Sequence, residues 1–303
     1  MKRTLEAINE AAKDPVRFIK ECTEEYREEI VSVADKISEN SDIKIIAMAG
    51  PSAAGKTTTA HILMRELEKR GHSIIVVSLD DFYKKREELP VLPDGSFDIE
   101  SVDSIDTELV KKHFGEIVRC GKTSLPRYDF KTKGRIENDR TVELGENGIV
   151  IFEGLHALNP RICGTVPENN LYKIFICLDK SVEDSDGKQV LTGRQIRLVR
   201  RVIRDDRHRG ADIKETLTLW NNVLEGEVKY LFPYKDTADS KIRTMQPFEI
   251  CVYKDAFCRL RSGVTRNTPW YEYFIDTVNT VEQFSSIDAS LIPDDSLIKE
   301  FIG

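Results

Sequence analysis

An eight-residue loop constrains the fold of this chain more than any other feature. It reads GPSAAGKT over residues 50–57 and fits G-x-x-x-x-G-K-[ST], a pattern typical of loops that hold phosphate groups. The mostly apolar run 43–49 predicts a buried strand before the loop, and the spacing of Ile62, Leu63 and Leu67 predicts a helix after it. A helix N-terminus attracts anions through its free N–H groups and its dipole. The sequence therefore predicts a nucleotide-binding P-loop within an α/β fold.

We expect the backbone of this loop to wrap around nucleotide phosphates. Gly50 and Gly55 permit a close approach, Lys56 reaches the terminal phosphates, and the Thr57 hydroxyl holds Mg²⁺. Lys56 is therefore also a candidate catalytic residue. The nucleotide-binding residues predicted for the loop are Gly50, Pro51, Ser52, Ala53, Ala54, Gly55, Lys56, Thr57 and Thr58.

Composition narrows the class of protein. The chain has 303 residues, of which 40% are apolar and 32% charged, as in ordinary soluble domains, and its net charge is −7. This acidic balance argues against a general binder of nucleic acid or membranes, and no apolar run approaches the ~20 residues of a membrane span. The six cysteines form no C-x-x-C pair, and the N-terminus gives no sign of a secretory signal. We expect a cytoplasmic protein with a small-molecule partner, and a homo-oligomer stays open.

Four apolar runs predict a parallel sheet. They span residues 43–49, 73–79, 148–152 and 172–178, and helical patterns separate most of them, which is typical of a sheet covered on both faces. The predicted fold is a three-layer P-loop sandwich with a mostly parallel central sheet, an Arg-rich helical lid and extra helices at both termini. The predicted division is an N-terminal helical extension over 1–41, a P-loop domain over 42–245, and a C-terminal helical extension packed on that domain over 246–303.

The remaining patterns predict individual elements. Residues 133–144 are polar and rich in turn formers, which indicates a hairpin before the third apolar run. Residues 193–231 predict two helices joined near Gly210. Two further helices are expected over 248–260 and 270–284.

Acidic residues follow two of the predicted strands. Asp80 and Asp81 end the second run, and Glu153 ends the third. Ligands of open α/β sheets bind beyond the carboxyl ends of the strands, so these carboxylates should face the nucleotide. One could accept the proton of an attacking hydroxyl or hold Mg²⁺ through water, and Glu153 stands where a metal-supporting acid is usual. A helix cap is the alternative for the aspartates, and the neighbouring His156 favours a structural role.

An arginine-rich segment follows over residues 194–209. It contains seven arginines and no lysine, and two aspartates oppose them. Arg197, Arg201 and Arg204 share one face of the predicted helix. Planar guanidinium groups suit bidentate contacts with phosphate, and the glycines that bracket the segment would serve as hinges of a closing lid. The alternative is a solvated cationic helix.

Taken together, six ordered motifs over roughly residues 43–245 resemble the uridine kinase and phosphoribulokinase family of P-loop enzymes. The segment from Trp220 to Tyr234 and the C-terminal stretch 296–303 are most similar to a branch of uridine kinase-like nucleoside kinases. The six motifs are GPSAAGKTT (50–58), SLDDFY (78–83), FDIESVDSID (97–106), PRYDFKTKGR (126–135), IVIFEGLHALNP (149–160) and RLVRRVIRDDRHRG (197–210).

The resemblance implies an ATP- and Mg²⁺-dependent transfer of phosphate to a hydroxyl group. It implies that Asp80 is the catalytic base, with Asp81 as a second candidate, and that Arg204 acts in catalysis. It implies that Thr57 and Glu153 support the metal, and that Arg200 and Arg201 face the phosphates. The substrate-binding residues expected on this basis are Asp81, Tyr83, Asp98, Tyr128, Lys133 and Arg197.

One departure from the family pattern bears on the acceptor. Uridine kinases have a histidine that reads the pyrimidine edge after the Y-D-F element, and this chain has Lys133 there. A lysine has three donors and no acceptor, so it cannot reproduce every hydrogen bond of a neutral imidazole. Lys133 could instead attract an anionic or polyhydroxylated acceptor.

Four functions remain open at this point. The leading hypothesis is a kinase for the 5′-hydroxyl of uridine or cytidine, and the second is a kinase for a sugar phosphate or polyol. A regulatory nucleotide switch is a third, because residues 184–187 fit D-x-x-G, but no Asn-Lys-x-Asp element that reads guanine accompanies them. A decayed P-loop protein is the fourth, and it would not need the acids and arginines that are present.

Overall fold

The centre of the molecule is a parallel β-sheet. The computed structural model describes residues 3–92, 95–129, 132 and 134–303. Within them, five parallel strands pair in the order β2-β5-β1-β6-β9. These strands are β1 (Ile45–Ala49), β2 (Ser73–Ser78), β5 (Gly148–Glu153), β6 (Leu171–Cys177) and β9 (Ser240–Arg243).

Every residue of β1 and of β5 is buried, because helices cover both faces of the sheet. Along β1, Ile46 and Met48 belong to one apolar core, while Ile45 and Ala47 belong to the other. This alternation follows from the two-residue period of a strand. The predicted three-layer fold and its four apolar strands are thereby confirmed. The fifth strand, β9, was not predicted, since its short sequence SKIR carries no apolar run.

Helices form the outer layers. One core combines helices from both ends of the chain with the helix after the P-loop, and the other contains α4 and the hairpin. The helices are α1 (Leu5–Ala11), α2 (Pro15–Ser38), α3 (Lys56–Glu68), α4 (Thr107–Cys120), α5 (Pro160–Cys163), α6 (Gly193–Arg204), α7 (Ile213–Tyr230), α8 (Glu249–Cys258), α9 (Tyr271–Val281) and α10 (Lys299–Ile302). In the described residues, none is long and apolar enough to cross a membrane.

The predicted helices at both ends are present. Asp14 caps α2 and Pro15 occupies its first turn, as the sequence indicates. The apolar face of α2 packs on α3, while α8 packs on α6 and α9. The two helices expected over 193–231 are α6 and α7, joined by a π-helical turn at Asp205–Arg209. The division into a P-loop domain and two extensions stays a prediction.

Two antiparallel hairpins lie outside the central sheet. The longer one pairs β3 (Lys122–Asp129) with β4 (Gly134–Glu143), which includes the excursion expected over 133–144. The shorter one pairs β7 (Val182–Glu183) with β8 (Gln189–Leu191). Strand β3 packs against the turn Leu79–Phe82, so the longer hairpin stands beside the predicted site.

Candidate active site

The P-loop follows β1 and leads into α3. Gly50 lies so close to β6 that an added Cβ would stand 2.8 Å from the Cβ of Ile176. Gly55 caps α3 with φ +82°, a left-handed conformation that favours glycine. Ala53 also has a positive φ, 58°, which a non-glycine residue adopts only when its surroundings hold it there.

Three successive carbonyl groups of the loop accept hydrogen bonds from side chains outside the loop. The Arg197 guanidinium donates to the Ser52 carbonyl at 2.8 Å, Arg200 donates to the Ala53 carbonyl at 3.3 Å, and the Thr244 hydroxyl donates to the Ala54 carbonyl at 2.6 Å. The three donors are not among the residues that line the cleft in front of the loop. Their hydrogen bonds explain how Ala53 keeps its unusual conformation.

The roles predicted for Arg197 and Arg200 are therefore wrong. Arg200 is fully buried and binds Glu249 through two hydrogen bonds of 2.6 and 2.9 Å. Arg197 is 5% exposed, bonds to Glu227 and lies over the Trp220 ring. Their guanidinium groups are held by carboxylates in the core, so they support the loop instead of facing phosphate or acceptor.

Glu227 completes this support. Its carboxylate accepts the Ser52 N–H at 2.9 Å while it pairs with Arg197. Ser52 is thus bound through both backbone groups, and its hydroxyl accepts a third bond from Arg201 at 2.9 Å. The Gly-Glu pair at 226–227 was part of the sequence resemblance, but nothing in the sequence indicated that the glutamate binds the P-loop.

A cleft of about 340 Å³ opens in front of the loop. Basic and acidic side chains from distant parts of the chain line this cleft. Lys56 donates to the Pro51 carbonyl at 3.2 Å, so its ammonium group lies along the loop. The residues that line the cleft are Ser52–Thr57, Asp80, Tyr83, Ile99, Glu100, Glu153, Gly154, Leu155, Arg201, Arg204 and Glu300.

The turn after β2 separates the two adjacent aspartates. Asp80 is exposed and lines the cleft, as predicted for the base. The Asp81 carboxylate accepts the Tyr128 N–H at 3.1 Å, so it holds the hairpin, and burial raises its pKa. Asp81 is not among the residues that line the cleft, and its predicted role in substrate binding stays a prediction. The one-turn helix Leu79–Phe82 directs these neighbouring side chains to different sides.

Thr57 and Glu153 meet at the base of the cleft. The Thr57 hydroxyl donates to the Glu153 carboxylate at 3.3 Å. Burial raises the pKa of Glu153 to about 7, and the nearby Lys56 opposes that shift. A buried carboxylate beside a hydroxyl is a set of hard oxygen donors, which is what Mg²⁺ prefers. The pair therefore fits the predicted metal, which would also stabilise the charge that burial disfavours.

Aromatic and acidic side chains line the part of the cleft where the acceptor was expected. Tyr83 lines the cleft and donates to the Ile99 carbonyl at 3.2 Å. Its ring contacts Tyr128 edge-on, with 5.7 Å between centroids. Lys133, the residue that departs from the family pattern, lies outside the described residues.

Glu100 supplies a carboxylate that lines this part of the cleft. Asp98 accepts the Tyr230 hydroxyl at 3.1 Å and is not among the residues that line the cleft, and its predicted contact with the acceptor stays a prediction. Burial raises the pKa of Glu100 to about 7, and Arg201 opposes the shift. Its side chain packs on Gly226, where an added Cβ would lie 2.7 Å away. No local pattern pointed to Glu100, because its side chain packs against a glycine in a distant helix.

Two arginines of α6 do reach the cleft. Arg201 and Arg204 both line it, and both lie within 4.0 Å of Asp205. Helix α6 is otherwise packed into the core, so these two side chains present its only cleft-lining charges among the described residues. Their predicted contacts with phosphate stay predictions.

His156 has the structural role that was expected. It is 4% exposed, and burial lowers its pKa to about 4. Its ring forms a hydrogen bond with the Glu100 backbone and contacts the Tyr230 ring edge-on. It thus supports the segment that carries Glu100.

The P-loop, the acids that follow or end the strands and the arginines of α6 define a P-loop kinase. Comparison with known proteins gives the family: the model of the phosphoribulokinase / uridine kinase family matches residues 45–250. The chain belongs to the phosphoribulokinase / uridine kinase family, which confirms the resemblance found in the sequence.

Individual proteins named as uridine kinases are similar to this chain at low sequence identity. The chain is 24% identical over 180 residues to a uridine kinase of Ureaplasma parvum, covering 59% of this chain and 77% of that one. It is 28% identical over 196 residues to uridine-cytidine kinase B of Dictyostelium discoideum, covering 64% and 72%. A solved structure titled as a possible uridine kinase from Bacillus stearothermophilus shares the fold, with a TM-score of 0.51, 19% identity, and coverage of 72% of this chain and 99% of that one.

Proposed function

We propose that this protein transfers the γ-phosphate of ATP to the 5′-hydroxyl of uridine or cytidine. One observation carries the proposal: Asp80 and Tyr83 line the same cleft as Lys56 and the P-loop. A general base and a phosphate cradle that share a cleft can bring a hydroxyl and a triphosphate together. The curated relatives named uridine kinase and uridine-cytidine kinase support the choice of acceptor.

The donor would bind through the loop backbone. Hydrogen bonds from Arg197, Arg200 and Thr244 hold carbonyls 52–54 in place. The first N–H groups of α3 have no partner within the helix, and Lys56 and Thr57 of that turn line the cleft. The triphosphate would lie along them with Lys56 at its terminal groups.

The acceptor would approach from the side of Asp80. Its hydroxyl oxygen attacks the γ-phosphorus as the bond to the β-γ bridging oxygen breaks, and Asp80 takes the hydroxyl proton. Lys56, Arg201 and Arg204 would stabilise the charge that develops on the phosphoryl oxygens. Thr57 and Glu153 would hold Mg²⁺, which when bound neutralises phosphate charge.

Selection of the acceptor would depend on the side chains of Tyr83 and Glu100, which line the cleft. Tyr83, in contact with Tyr128, offers an aromatic face for a base, and Glu100 offers a carboxylate for sugar hydroxyls. The family includes phosphoribulokinases, so a sugar phosphate or polyol is the second candidate acceptor.

An ADP-release assay tests the acceptor. Purified protein with ATP and Mg²⁺ is given uridine, cytidine, purine nucleosides, pentose phosphates and polyols in turn, and the Asp80→Asn variant measures background hydrolysis. We expect release that depends on uridine or cytidine. Release that depends only on a sugar phosphate or polyol would establish the second candidate, and release independent of any acceptor would contradict both.

A further inference from the structure

The C-terminal segment 296–303 reaches the phosphate cleft. It lies beyond residue 250, where the match to the family ends. Its Leu297 and Phe301 side chains are buried, and Leu297 packs so closely on the P-loop that a Cβ on Gly55 would stand 2.8 Å from it. The Glu300 side chain lines the cleft together with Lys56 and Thr57.

The segment is anchored on both sides of Glu300. Phe301 is fully buried, and the Arg200 guanidinium lies 5.0 Å from the centroid of its ring. Arg207 donates to the Ile302 carbonyl. Arg27 binds Asp295 at 3.0 Å on the far side of the segment. The position of the Glu300 carboxylate is therefore set by the fold.

Glu300 contacts two groups that are expected to meet phosphate. One carboxylate oxygen accepts the Thr58 hydroxyl at 2.8 Å, in the first turn of α3. The other lies 3.6 Å from a guanidinium nitrogen of Arg204. A carboxylate thus occupies an anion position between the loop helix and a cleft arginine.

We propose that Glu300 is an affinity-setting residue of the nucleotide site: it holds Thr58 and Arg204 as a built-in anion and weakens the binding of ATP and ADP. This inference rests on the proposed binding of nucleotide at the P-loop. Phosphate would compete with the carboxylate for Arg204 and would be repelled by its fixed charge. Because Leu297 and Phe301 anchor the segment, the carboxylate cannot move far away, and product ADP would leave faster than from a site without it.

The variant Glu300→Gln tests this directly. Glutamine has the same size and keeps an oxygen that can accept from Thr58, but it has no charge. We expect the Kd for ADP, measured by calorimetry, to fall about fivefold, a typical size for one partly exposed charge contact. The gain should shrink as the salt concentration rises, because the effect is electrostatic.

Asp295→Asn is the matched control. It removes the same charge from the residue that directly precedes the segment, but Asp295 pairs with Arg27 and does not line the cleft. We expect its Kd for ADP to equal that of the unchanged protein, which would exclude an effect of net charge. An equal gain in both variants would overturn the proposal, as would unchanged or weaker binding by Glu300→Gln.

Failure of this inference can be distinguished from failure of the proposed function. If the unchanged protein binds neither ATP nor ADP, the proposed function fails; if it binds both and Glu300→Gln binds no better, this inference alone fails. Should Glu300→Gln not fold, Glu300→Asp takes its place, because it draws the charge back by one methylene. A smaller gain in affinity would support the proposal, and no gain would overturn it.

Discussion

The two walls of the cleft are built in different ways. The wall proposed to bind the donor, called the donor wall, is backbone, and its conformation is fixed by buried side chains such as Arg197 and Arg200, which bind carbonyls 52 and 53. The wall proposed to bind the acceptor, called the acceptor wall, is made of side chains, Tyr83 and Glu100, that come from segments following a strand or lying between helices. A backbone cradle recognises any triphosphate, whereas a side-chain wall changes with each substitution. Membership of the family therefore establishes the donor chemistry more firmly than the identity of the acceptor.

The largest expected effect comes from Asp80, which is proposed to take the proton of the acceptor hydroxyl. Replacing Asp80 with Asn should lower kcat about a thousandfold, because the attacking hydroxyl loses its base, while ATP affinity stays close to normal. Steady-state kinetics and calorimetry measure the two quantities. Asp81→Asn is the control, and it should mainly raise the acceptor KM because Asp81 holds the hairpin. Nearly normal turnover by Asp80→Asn would remove this residue from the mechanism.

A core arginine tests the support of the donor wall. Arg200→Met should lower the free energy of unfolding by about 3 kcal/mol, because it leaves the fully buried Glu249 without its partner. It should also raise the KM for ATP, since the Ala53 carbonyl loses its donor. Arg259→Met is the control, because that arginine is exposed and pairs with Asp206 at the surface. Urea denaturation that shows equal losses for both variants would contradict the distinction.

The free energy of unfolding should depend on pH through His156, which supports the segment that carries Glu100. Its folded pKa of about 4 lies below the ordinary 6.5, so the unfolded chain binds the extra proton between these values. This contribution is present above pH 6.5 and is lost as pH falls towards 4, by about 2 kcal/mol between pH 7 and pH 5. Urea midpoints of the unchanged protein and of His156→Gln at both pH values measure it. An identical pH dependence would show that His156 does not titrate as described.

The smallest expected effect concerns the choice between two acids. Glu100→Gln should raise the acceptor KM about tenfold and leave the KM for ATP unchanged, because a charged hydrogen bond to the acceptor is lost. Asp98→Asn should change the acceptor KM less, since Asp98 binds Tyr230. The reverse order of effects would support the expectation that Asp98 contacts the acceptor.

Much of the fold followed from local patterns. The four apolar runs and the capped helix α2 could be predicted because strands and helix ends leave signals within a few residues. Strand β9 could not, because a four-residue edge strand is defined by its neighbour. The same limit separates the correct and incorrect site residues. Asp80 and Glu153 end strands, so topology alone places them at the cleft.

The wrong assignments concern residues whose partners are far away in sequence. A helix pattern shows that Arg197, Arg201 and Arg204 share a face, but it does not show which of them meets a buried carboxylate. Glu249 and Glu227, which decide that question for Arg200 and Arg197, lie 49 and 30 residues further on. Glu300 was missed for the same reason, because its contact with Thr58 spans 242 residues.

One glycine in the middle of α7 gives an indirect means of redesigning this protein. Gly226 has no side chain where Glu100 packs, and a methyl group there would have to displace that glutamate. Protein engineers who wish to widen or shift the range of alcohols that the proposed acceptor site takes could therefore begin on a helix that does not line the cleft. Screening small substitutions at position 226 would alter the shape of the pocket while every reactive group is retained.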